Sequence, residues 1–84
     1  MNIYKVYHRG RHIGEKFLLP DAEKIVYDKM VDASKDVQII TDKITKVVKE
    51  KEVLTIRKHA LDEILIMYLD SDANEVFRIE KEKF

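Results

Sequence analysis

Two β-rich runs open the chain, Ile3-Tyr4-Lys5-Val6-Tyr7 and Ile13-Gly14-Glu15-Lys16-Phe17-Leu18, on either side of His8-Arg9-Gly10-Arg11-His12. β-branched and aromatic residues flanking a short glycine-containing segment predict a β-hairpin over Asn2 to Leu19, with Gly10 supplying the positive φ of a tight turn. An Arg-Gly pair does not select one turn type, so the register of the hairpin is left open. At Pro20 the apolar period changes. Ala22, Ile25, Val26, Met30 and Ala33 recur at steps of three and four, which predicts an amphipathic helix over about residues 20–34, ending near Ser34 or Lys35. Proline suits the first helical turn, where no backbone N–H is needed, and Asp21 and Glu23 place negative charge at the positive end of the helix dipole.

Beyond the helix the β-branched density rises again, in Val37-Gln38-Ile39-Ile40-Thr41, Ile44-Thr45-Lys46-Val47-Val48 and Val53-Leu54-Thr55-Ile56. These runs predict strands, the last two joined by the charged tip Lys49-Glu50-Lys51-Glu52. A helix over Lys43 to Leu54 would set Lys51 in the middle of its apolar stripe. Residues 60–69 fit two patterns: Ala60, Leu61, Ile64, Leu65, Tyr68 and Leu69 suit a second helix, while the continuous run Ile64 to Leu69 suits a buried strand. The strand is favoured because Asp70-Ser71-Asp72-Ala73-Asn74 is rich in turn formers and Val76-Phe77-Arg78-Ile79 follows as a return strand. Glu80-Lys81-Glu82-Lys83 is expected to fray. The predicted fold is a single α+β domain over 1–84: an N-terminal hairpin, one helix and an antiparallel β-meander, with a second helix at about 60–70 as the alternative.

At 84 residues with 45% hydrophobic content the chain has the means to bury one core. It contains no cysteine, so that core receives no help from disulfides. A reducing, cytoplasmic setting fits. No segment approaches the ~20 apolar residues of a membrane span. Abundant Lys and Ile suit an AT-rich coding genome, such as that of a low-GC bacterium or its phages.

The net charge is zero, yet charge is segregated along the chain. Met1 to Lys16 sums to +3, Phe17 to Asp42 to −3, Lys43 to His59 to +4 and Ala60 to Phe84 to −4. Such blocks can present a basic and an acidic surface to partners, or fold together into a mixed one. The basic hairpin tip, with Tyr7, His8, Arg9, Arg11 and His12 and with Lys16 farther down the ribbon, is the predicted partner-binding segment. Lys46, Lys49, Lys51, Arg57 and Lys58 extend it if their strands lie alongside.

Catalytic chemistry is sparse. Ser34 and Ser71 are the serines, neither in a nucleophile-elbow motif, and Gly10 and Gly14 are the glycines, so no phosphate-cradling loop exists. Adjacent Asp62 and Glu63, with no convergent pocket, read as a solvated turn or a helix start. His8 and His12, even with Glu15, make a poor metal site on a turn, and His59 reads as a loop or packing residue. Asp70, Asp72 and Asn74 match the opening of a calcium loop, but Glu75 stands where that loop needs glycine and Lys81 where it needs glutamate. An Asp/Asn turn is the simpler reading.

These observations predict a non-enzymatic module that binds another protein, without cofactor or metal. A homodimer, or a small inhibitor or adaptor of a phage or mobile element, would take this form. In a sharper variant, carboxylates of the Asp21 to Asp36 and Asp70 to Glu82 segments imitate nucleic-acid phosphates. The rival function is direct nucleic-acid binding through the basic hairpin, against which the zero net charge argues.

Overall fold

A computed structural model describes residues 1–34, 36–62 and 64–84. It contains one helix and seven strands in a single antiparallel sheet. In chain order these are β1 (Asn2–His8), β2 (Arg11–Lys16), α1 (Leu19–Ala33), β3 (Asp36–Thr41), β4 (Ile44–Lys49), β5 (Glu52–Leu61), β6 (Leu65–Leu69) and β7 (Glu75–Lys83). The sheet runs β2-β1-β7-β6-β5-β4-β3, so α1 carries the chain from one edge strand to the other while the meander returns to close on β1.

The α+β architecture, the hairpin, the single helix and the meander are those the sequence predicts. In the β1–β2 turn Arg9 and Gly10 both adopt positive φ, 49° and 81°, which is the type I′ pattern whose twist matches that of the flanking strands. The expected Asp/Asn turn is also present. Asp70 Oδ1 accepts hydrogen bonds from the backbone N–H groups of Asp72 and Asn74, each at 2.9 Å.

Two expectations are corrected. The alternative second helix at about 60–70 does not form: β5 continues to Leu61 and β6 occupies Leu65–Leu69, because both faces of that segment find sheet neighbours. Ile66 packs on Ile79 on one face while Met67 lies beside Arg78 on the other, a demand that period two meets and period 3.6 does not. The Glu80–Lys83 segment does not fray. It is the end of central strand β7, held by β1 through the pairs Lys5–Glu80, Tyr4–Lys81, Ile3–Glu82 and Asn2–Lys83. Of the remaining expectations, Lys35 as a helix end and Glu63 as a turn carboxylate lie outside the described residues.

The core is one cluster between helix and sheet. Ala22, Val26 and Met30 face down from α1 onto Val6, Ile79, Ile66, Phe77, Tyr68, Val76, Ile56 and Val47. Ile25 adds a half-buried contact near β2, where a Cβ on Gly14 would stand 3.0 Å from Ile25 Cδ1. Beyond the helix, Ser34 Oγ donates to the Met30 carbonyl at 2.6 Å, helping to close the last turn.

A single helix is about 10–12 Å across with its side chains, whereas seven strands about 4.8 Å apart make a sheet about 29 Å wide. One helix therefore cannot cover the face it lies on. It leaves a groove on either flank.

Candidate binding groove

The two grooves have similar volumes, about 400 Å³ and about 380 Å³, and differ in charge. The first lies between α1 and the β3–β4 end of the sheet, bordered by Glu23, Lys24, Asp42 and Lys58. Its charges balance, and Lys58 Nζ is 3.2 Å from Glu23 Oε1. The second lies on the opposite flank. Val47, Leu54, Ile56, Val76 and Phe77 form its apolar floor, with Met30 and Ala33 along the helix side. Arg9, Lys29 and Lys49 stand at its rim with Glu52 as the one carboxylate. No ion pair engages any of those three cations among the described residues.

Each rim residue arrives by a different route. Arg9 occupies the β1–β2 turn, where its N–H donates to the Val76 carbonyl at 2.9 Å and ties the turn to β7. Lys29 comes from the exposed side of α1, one residue before the buried Met30. Lys49 and Glu52 flank the two-residue β4–β5 turn as paired neighbours. His8 completes the wall and stacks on Phe77, with ring centroids 4.6 Å apart and planes at 16°. Burial, reinforced by the positive charges of Arg9 and Lys29, pushes the His8 imidazole below its ordinary pKa.

The sequence-predicted site is divided by the pleat of the sheet. His8 and Arg9 enter the groove. Tyr7 and His12 lie on the opposite, helix-free face as cross-strand neighbours with ring centroids 5.6 Å apart. There His12 Nε2 is 3.5 Å from Glu15 Oε1, and Arg78 lies 4.8 Å from the centroid of the Tyr7 ring. Arg11 is exposed at the turn, and exposed Lys16 pairs with Tyr4 at the far end of the hairpin. His8 and His12 thus do not converge. Among the described residues no group of three or more His, Asp or Glu side chains is placed to hold a metal ion.

The sequence named Lys49 as an extension of the basic hairpin if its strand lay alongside, and did not mark Lys29, which lies on a helix whose block is acidic. The charge blocks become alternating stripes in the sheet: basic β1–β2, acidic β6–β7, then basic β4–β5. Neighbouring stripes neutralise each other where they touch, as at Lys5 Nζ to Glu82 Oε2, 3.0 Å. At the groove end the two basic hairpins meet across the apolar floor instead, and the compensation stops.

The fold is that of a small α+β domain, one helix on a seven-stranded antiparallel sheet. No family model, curated protein or solved structure matches the chain. Among the described residues no helix is long and apolar enough to cross a membrane.

Proposed function

We propose that this chain is a non-enzymatic protein-binding module that holds an acidic, apolar-anchored segment of a partner protein in the groove bordered by Arg9, Lys29 and Lys49. The observation that carries this reading is an apolar floor surrounded by cations that lack intramolecular partners. Apolar side chains of the partner fill the floor, and its carboxylates meet the rim, where charge supplies orientation and association rate more than raw affinity. The groove is open, so it suits an extended segment or a helix edge better than a metabolite, which needs most of its surface enclosed. In a cytoplasmic setting, an inhibitor or adaptor of a phage or mobile element would work in this manner.

Direct nucleic-acid binding through the hairpin has less support, because Lys5 is tied to Glu82 and the Tyr7 face is occupied by Arg78. The test is selection from a random-peptide display library. Enriched peptides should combine Asp or Glu with large apolar residues, and the double variant Lys29→Glu/Lys49→Glu should lower their affinity by about tenfold or more, corresponding to ~1.4 kcal/mol. Enrichment of uncharged peptides, or affinity indifferent to the reversal, would reject the groove reading. Oligonucleotide binding lost on replacing Arg9 and Arg11 with alanine would favour the rival.

A further inference from the structure

The two edges of the sheet are protected very differently, and the geometry points to β3 as the strand through which two copies of this chain pair. At the β2 edge Arg11, Glu15 and Lys16 supply charge, and the register shift between Val6 and Tyr7 distorts the ladder. Charge and bulges are the usual means by which an edge refuses another strand. The β3 edge has a register shift of its own, between Ile39 and Thr41, but the run Val37 to Thr41 carries no charged side chain and its register with β4 is regular from Asp36 to Ile39, so the two edges differ in charge. Ile39 and Ile40 are 63% and 58% exposed, and on α1 Tyr27 and Val31, four residues apart and so on one face, are 41% and 44% exposed. Tyr27 borders the same groove as Ile39, so strand and helix contribute to one apolar margin.

A second copy fits this edge for reasons of symmetry and charge. In an antiparallel pair about a two-fold axis at Gln38, each Gln38 faces its own copy and each Val37 faces Ile39 of the other chain. Val37 and Ile39 both lie on the helix-bearing face, paired with Val47 and Thr45. The pairing thus creates two apolar cross-strand contacts and sets no charged residue against Val37, Gln38 or Ile39, with Asp36 opposite Ile40 at each end of the paired stretch. The same axis keeps both helices on one face, and the interface is isologous as a two-fold dimer requires. A short strand pair alone falls below the ~1,200 Å² of a stable interface, so the Tyr27 and Val31 margin must contribute and the dimer should be a weak one.

Sedimentation equilibrium of the full chain from micromolar to millimolar concentration tests this, with hydrogen exchange at both extremes to locate the contact. A monomer–dimer equilibrium is expected, with amide protection in Val37 to Thr41 rising with concentration while β2 amides stay unchanged. Ile39→Lys should weaken dimerisation by about tenfold or more. Circular dichroism confirms that this variant folds, and Gln38→Lys, which sets two like charges together on the axis, serves as the independent second variant. A chain monomeric throughout, or a dimer whose protection appears elsewhere and which ignores both variants, would overturn the assignment. Peptide capture in the groove should persist in Ile39→Lys, so either proposal can fail alone.

Discussion

His8 shows how one side chain records its surroundings. It stacks on the buried Phe77 and faces Arg9 and Lys29, so folding disfavours its protonated form. Because its folded pKa lies below the unfolded value of about 6.5, the unfolded chain takes up the proton first on acidification. The contribution of His8 to stability is therefore fully present above pH ~6.5 and is lost as pH falls from there through the folded pKa. Urea unfolding midpoints measured from pH 7.5 downward, staying above pH ~5 to limit carboxylate titration, should fall, and His8→Phe, which keeps a ring against Phe77, should flatten that slope. An acidic segment in the groove reverses the sign locally. It should raise the His8 pKa in an NMR titration, and affinity should strengthen below pH ~6.5. None of this was legible in the sequence, where His8 is one of two histidines on a turn. Its face depends on a hairpin register that Arg9-Gly10 does not dictate, and Phe77 is far away along the chain.

At the scale of elements, what the sequence displayed best was whatever local periodicity and turn chemistry decide. The helix over Leu19–Ala33 follows from its apolar steps and from Pro20, and the Asp70 turn from a side chain that hydrogen-bonds to its own neighbours. Residues 60–69 were ambiguous because a strand buried on one face and covered by long side chains on the other loses its alternation. The Glu80–Lys83 tail misled because four charged residues look solvated, although half of each charged side chain is aliphatic stem and can lie along a sheet. Helix-to-sheet contact makes a further demand at Gly14, where β2 passes under Ile25. Gly14→Val should cost roughly 1–3 kcal/mol by overpacking. Equilibrium denaturation measures it, and a pairing of Gly14→Val with Ile25→Ala should recover part of the loss, since the cavity relieves the crowding.

For the whole molecule, the decisive quantity is the mismatch between one helix about 10–12 Å across and a seven-stranded sheet about 29 Å wide. It produces two grooves, and the order of hairpins in the sheet makes one neutral and the other positive. The charge blocks were visible along the chain, while their arrangement as stripes required β7 to insert between β1 and β6, a long-range pairing that no local pattern reports. The proposed site inherits this division: Arg9 and His8 were read from sequence as binding residues, Lys49 as an extension that depended on strand order, and Lys29 entered only with the fold. Photocrosslinking in the source cell tests the central claim most directly, with the crosslinking residue placed either at Ala33 in the groove or at Arg57 on the helix-free face. A discrete partner adduct from position 33, absent from position 57 and lost on Lys29→Glu/Lys49→Glu, is the predicted result. Adducts from position 57 alone, or a groove adduct that survives the charge reversal, would contradict the account.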